Sequence, residues 1–325
     1  MNKVTITNGI YMGKVINGTY EMVSRWYPEG DISRDPKHGK VKVIINGNQR
    51  GVWVNEEDIS YSEGPAPEVK EITNEEILER IKKRFDVMNK MSNGVIAGVV
   101  RSLIISGAPG VGKTYSLEKK LVAAEESGRI NYEMVKGKIS PIGLYIKLYE
   151  SRDAGSVVVL DDIDVFSNED TLNILKAALD SGDRRIISWG TASTYLDEKD
   201  IPNSFEFEGS IIFITNTDID AELQRGSKNA PHLDALVSRS VYLDLAVHTN
   251  RDIMVWVENV ITTTDMLEKK GLSQFQIVQV VEWMKDHVDN LRNVSLRTAM
   301  YIADFILTEP NGWQDIAEVT MLRPR

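Results

Sequence analysis

The chain has 325 residues, of which 42% are hydrophobic and 26% charged, an ordinary core-forming composition that excludes disorder as the main state and suggests two or three globular units. It contains no cysteine and only four histidines, which excludes disulfides, thiolate metal sites and cysteine nucleophiles and leaves metal chemistry to oxygen ligands. The net charge of −10 argues against a nucleic-acid grip spread over the whole surface, although a local basic channel remains compatible.

The first 65 residues read as a small β-barrel. Short β-rich runs (Lys3–Thr7, Val41–Ile45, Gly51–Val54) alternate with turn signals such as NGT, PEGD and NGNQRG. The ending GVWVNEEDI resembles the last part of an SH3-like barrel, a resemblance that implies an inward-packed aromatic followed by an acidic turn. This segment holds eight basic and eight acidic residues, so the acidic excess, 40 against 30, falls entirely on residues 66–325. A barrel without charge bias reads as an adaptor or spacer. SEGPAPEVKE, with Pro65 and Pro67, has linker composition, placing a boundary near residue 68. Thr73 and Glu76 then form a capping box ahead of Ile77, Ile81, Phe85, Met88 and Met91 at helical spacing.

Residues 66–248 read as an α/β domain. The apolar stretch Gly94–Gly107 is cut by Arg101 and is shorter than the roughly 20 residues of a membrane span. The N-terminus lacks an export pattern, so a cytoplasmic location without membrane contact is expected. Four continuous apolar runs predict buried parallel strands: Leu103–Ile105, Val157–Leu160, Ile211–Ile214 and Val241–Leu245, with Tyr132–Val135 a weaker fifth. Helices are predicted at Lys113–Glu126, at Pro141–Glu150 behind the cap Ser140, and at Asp170–Asp180. After Thr249 the strand signals end. Asp252–Val260, Gln274–Asn290 and Ser295–Leu307 are amphipathic, which makes 249–325 a helical domain.

The strongest chemical signal is Gly107-Ala108-Pro109-Gly110-Val111-Gly112-Lys113-Thr114, followed by Tyr115, between a predicted strand and a predicted helix. Glycines there let backbone N–H groups turn inward around phosphates, and the helix N-terminus adds positive potential. Lys113 reaches the β/γ-phosphates and Thr114 ligates Mg²⁺. The second signal is VVVLDDID, a buried strand that delivers Asp161 and Asp162 to the carboxyl edge of the sheet. Asp161 suits the Mg²⁺ shell, and Asp162 suits the attacking water. Asp164 reads as a surface or capping residue.

GAPGVGKT, VVVLDD, IIFITN ending at Asn216, LVSRS with Arg239 and SLRT with Arg297 follow one another in the order of the AAA+ ATPases, which the chain resembles over residues 75–310. The resemblance implies a parallel-sheet P-loop ATPase core with the N-terminal barrel and a C-terminal helical lid, using ATP and Mg²⁺. It implies that Asn216 is the sensor 1 residue placing the lytic water. Arg239 is implied to be an arginine finger acting on a neighbouring subunit, with Arg225 as a competitor, and Arg297 the sensor 2 arginine. The finger in trans implies a ring-like homo-oligomer of about five to seven subunits. The stretch from SPIGLY to IIFITN is similar to bacteriophage-encoded ATPases, which would place the protein in the host cytoplasm. Asp161-Asp162 replaces the Asp-Glu of most AAA+ motors, which implies slower hydrolysis or a more compact site. Viral superfamily 3 helicases share Asp-Asp and carry a hairpin before sensor 1, for which Arg184–Thr191 is a candidate.

For a substrate, Lys136 and Lys138 after the second strand, and Arg184, Arg185 and Trp189, suggest contacts to DNA. The expected function is therefore an oligomeric ATPase acting on DNA in replication or recombination. A protein-remodelling or assembly ATPase using residues 1–65 as adaptor, and a slow ATP-dependent switch, remain the alternatives.

Overall fold

The structure is a computed structural model that describes residues 3–11, 14–28, 38–45, 48–62, 72–163, 168–226 and 230–324. These residues form two compact units, Met1–Glu71 and Ile72–Arg325. The expected linker prolines Pro65 and Pro67, the boundary near residue 68 and Asp164 lie outside the described residues.

In the first unit, β1 (Lys3–Tyr11), β2 (Lys14–Pro28), β3 (His38–Ile45), β4 (Asn48–Asn55) and β5 (Ile59–Ser62) form an antiparallel sheet in the order β2-β3-β4-β1-β5. A further β2–β1 pairing closes it into a small barrel. Its core is Val4, Ile6, Val41, Val43, Val52 and Val54. Trp53 corrects the expectation of an inward aromatic. Because side chains alternate along a strand, burying Val52 and Val54 turns Trp53 outward, where the Lys40 ammonium lies 4.1 Å from its ring centroid.

The second unit opens with α1 (Asn74–Ile96), whose capping box at Thr73 and Glu76 is formed. It continues through β6 (Ser102–Ser106), α2 (Lys113–Glu126), β7 (Asn131–Lys136), α3 (Pro141–Glu150), β8 (Ser156–Asp161) and α4 (Glu169–Ala178). Then come β9 (Ile186–Ser188), the short helix α5 (Thr194–Asp197), β10 (Ser204–Glu206), β11 (Ser210–Thr215), α6 (Ile219–Arg225), α7 (Ala230–Val237) and β12 (Val241–Asp244). The chain closes with α8 (Asn250–Thr263), α9 (Gln274–Asp286), α10 (Leu296–Thr308) and α11 (Trp313–Met321). Among the described residues, no helix is long and apolar enough to cross a membrane.

The five apolar runs form one parallel sheet in the order β12-β6-β11-β8-β7. Strands covered on both faces must be apolar on both sides of the chain, and β6, β8 and β11 are so through their centres, Leu103–Ile105, Val157–Leu160 and Ile211–Ile214. Leu103, Ile105, Val157, Val159, Ile212 and Ile214 face a core built with α1, α2 and α8 to α11. Ile104, Val158, Leu160, Ile211 and Phe213 face a second core containing residues of α3, α4 and α7. The expected hairpin has one arm in β9, but its partner is β10, so the ribbon spans residues 186–206 and carries α5 at its far end.

A glycine loop facing two aspartates

Three adjacent parallel strands end at one edge of the sheet, and each delivers one part of the site. β6 runs into the glycine loop, β8 ends at Asp161 with Asp162 next, and β11 leads to Asn216. Two positions of the loop demand glycine. Gly110 (φ 70°) and Gly112 (φ 97°) adopt left-handed backbone that side chains disfavour. A Cβ on Gly110 would also lie 2.7 Å from Cβ of Ser295. Gly112 is the N-cap of α2 and contributes no side-chain cap, so the first-turn amides can be offered to an anion.

Lys113 is buried and points back into the loop. Its ammonium donates to the carbonyls of Gly107 (2.6 Å) and Ala108 (2.9 Å) and to Oδ1 of Asn216 (2.8 Å). Asn216 in turn donates from Nδ2 to Oδ2 of Asp162 at 2.6 Å, a relay from the loop lysine to the second aspartate. Burial lowers the Lys113 pKa to about 8; Asp162 and Asp161 oppose this, and Arg297 adds to it. Asp162 sits at φ 51°, a left-handed conformation that Asp tolerates better than most residues. Its amide is fixed on the carbonyl of Ile214 at 2.9 Å.

Thr114 donates from Oγ1 to the Asp161 carboxylate at 3.2 and 3.3 Å. Burial raises the Asp161 pKa, with the Thr114 hydrogen bond opposing it. A hydroxyl and a carboxylate converging beside the glycine loop are the kind of hard oxygen ligands that Mg²⁺ takes. Tyr115, at the outer side of the first turn of α2, is 73% exposed.

The helices after residue 249 reach this loop directly. Trp256 of α8 donates from Nε1 to the carbonyl of Val111 at 2.8 Å, and the amide of Leu296 donates to the carbonyl of Gly110 at 2.9 Å. Arg297 therefore stands beside the loop, at the wall of a cavity of about 290 Å³ shared by Pro109, Gly110, Arg292, Ser295 and Tyr301. Arg239 is not among the groups brought together. It follows α7, is exposed, and donates to the carbonyl of Ala235 at 2.8 Å. Arg225 pairs with Glu222 at 3.3 Å.

The expected DNA contacts divide. Arg185 is a correction: it is buried, donating to the carbonyls of Ala178 (3.1 Å) and Gly209 (2.8 Å), and burial lowers its pKa to about 10. A guanidinium committed to two interior carbonyls is not available to phosphate. Trp189 likewise packs at 5.7 Å from the Tyr145 ring, against the second core. Arg184 remains exposed and forks onto Glu206 at 2.8 Å. Lys138 is exposed. Lys136 lies 4.0 Å from Asp161 and 3.7 Å from Glu118, so it belongs to the site itself. Sequence reasoning missed that, as it missed Trp256, because neither strand register nor long-range packing is written locally.

No family model matches the chain. Solved structures similar to it include RuvB of Thermotoga maritima, at 12% identity over 76% of this chain and 70% of that one with a TM-score of 0.42. Domain III of the Thermotoga maritima replication initiation protein DnaA gives 14% identity, 74% and 92% coverage and a TM-score of 0.42. The ORC1 protein of Aeropyrum pernix, solved in complex with DNA, gives 13%, 69%, 60% and 0.40. In sequence, the uncharacterized 36.7 kDa protein of the nrdC-mobD intergenic region of Enterobacteria phage T4 is 56% identical over 317 residues, 98% of this chain and 97% of that one. With that identity sustained along almost the full length of both, the chain belongs to the family of this phage T4 protein.

Proposed function

We propose that the chain is an ATPase of the AAA+ type that binds ATP with Mg²⁺ and hydrolyses it. The observation that carries this reading is the relay Lys113–Asn216–Asp162 at 2.8 and 2.6 Å, set beside the Thr114–Asp161 pair. Lys113 and the loop amides hold the phosphates, and Thr114 with Asp161 holds the metal, which when bound would neutralise phosphate charge. Asn216 fixes the Asp162 carboxylate, leaving its other oxygen to orient a water and accept its proton. Arg297 supplies a further positive charge from the helical lid. Arg239, exposed and outside its own site, suits donation to a neighbouring subunit, which makes the working form an oligomer closed head to tail.

The substrate proposed for this ATPase is DNA, met through the exposed Lys138 and Arg184. The test is calorimetry with ATP and Mg²⁺, followed by turnover with and without single- and double-stranded DNA. Heat of binding with DNA-stimulated turnover is the expected result. Binding with no DNA response at low salt would leave an ATPase with another substrate.

The role of Asp162 is tested separately. Asp162→Asn should keep ATP binding and lose about 100-fold or more in kcat, as removal of a positioned general base does. A slow-switch reading gains support from the hydrogen bond that ties one Asp162 oxygen to Asn216. It would be favoured if Asp162→Glu turned over ATP faster than the wild type in single-turnover quench experiments.

A further inference from the structure

Lys136 ends β7 and Asp161 ends β8, and the parallel register sets the two side by side. Thr114 and Glu118 lie four residues apart on α2, hence on one face of that helix. Around the Asp161 carboxylate therefore stand the Thr114 hydroxyl at 3.2 Å and the Lys136 ammonium at 4.0 Å, with Glu118 3.7 Å from the same ammonium. Asp161 is the more buried partner, with 12% of its side chain exposed, while Lys136 at 54% has room to swing.

We propose that Lys136 is a resident counter-ion of Asp161 which a divalent metal displaces onto Glu118, so that this lysine sets the metal affinity of the nucleotide site. The inference rests on the nucleotide-site reading above. The largely buried Asp161 carboxylate has, besides the Thr114 hydrogen bond, the Lys136 ammonium as a charge partner 4.0 Å away. A metal ion held by Thr114 and Asp161 supplies that charge twice over, and an ammonium about 4 Å from the same carboxylate then repels it. The lysine need not leave the site, because Glu118 already stands within reach. Lys136 is thus a positioning residue, acting through Asp161. Because it is half exposed, its effect is severalfold and not by orders of magnitude.

The experiment measures Mn²⁺ affinity by electron paramagnetic resonance on the full chain with a non-hydrolysable ATP analogue, beside affinity for the analogue alone without metal. Lys136→Met should tighten Mn²⁺ binding about three- to fivefold. Glu118→Gln, which removes the place of retreat, should weaken it about twofold. Lys136→Arg should behave as the wild type. Unchanged or weaker Mn²⁺ binding in Lys136→Met overturns the proposal while leaving the nucleotide site standing. Loss of metal-free analogue binding in that variant also overturns it, by making Lys136 a phosphate ligand. Failure of the wild-type chain to bind the analogue removes the nucleotide site itself, and this inference with it.

Discussion

Lys113→Ala should abolish useful nucleotide binding: the expected loss is about 2 to 5 kcal/mol, or about 30-fold to several thousandfold in affinity, as for truncating one partner of a desolvated charge pair. The lysine is the buried cation of the loop, held by two loop carbonyls and Asn216. Its replacement removes the charge proposed to meet the phosphates and releases the asparagine that holds Asp162. The same residue gives the binding a pH signature. Burial lowers its pKa to about 8, whereas the unfolded chain keeps the proton up to about 10.4. Between those values the unfolded state binds more protons, so this group makes the fold more stable as pH rises from about 8 towards 10.4. Binding runs the other way, because phosphate needs the ammonium. Affinity measured by calorimetry should be level below about pH 7 and fall above about pH 8, by at most about tenfold per unit. Arg297→Ala removes one of the charges lowering that pKa and should move the fall to higher pH. Affinity independent of pH from 6.5 to 9.5 would contradict the assignment of Lys113 as the phosphate cation.

What could be read in advance was what the chain writes locally. Buried parallel strands carry continuous apolar runs, so four of the sheet strands stood out while β7, an edge strand with Glu133 in its middle, read only weakly, and α2 and α3 began where the glycine loop and the Ser140–Pro141 pair put them. The glycine loop and the two aspartates were legible for the same reason, each lying within one run of eight residues. The three-residue strand β10 was not, because a strand that short carries no period and acquires meaning only by pairing with β9. Neighbouring Arg184 and Arg185 look alike in sequence. The backbone turns one out to Glu206 and the other in to two carbonyls, so equal residue types take opposite roles. Lys136 shows the same limit. It reads as a loop cation until the register with β8 brings it to Asp161.

Trp256→Ala should produce the largest loss of stability, about 3 to 5 kcal/mol. This side chain is buried on α8, stacks on Phe85 of α1 with centroids 4.2 Å apart and an interplanar angle of 18°, and donates to the Val111 carbonyl of the glycine loop. Truncation therefore removes a large apolar group, an aromatic contact and a hydrogen bond together. Trp256→Phe separates them. It keeps a ring against Phe85 but leaves the Val111 carbonyl without its indole donor, at a cost of about 1 to 3 kcal/mol. In a unit of this size each kcal/mol lowers the melting midpoint by about 2 to 4 °C. The loop hangs from two such bonds, the other being from the Leu296 amide to Gly110. Loosening one should also weaken nucleotide binding in Trp256→Phe, although Trp256 reaches the loop only from behind. A phenylalanine variant with wild-type midpoint and wild-type affinity would show that the loop holds its shape without α8. The helices after residue 249 would then be neighbours of the site and not part of its frame.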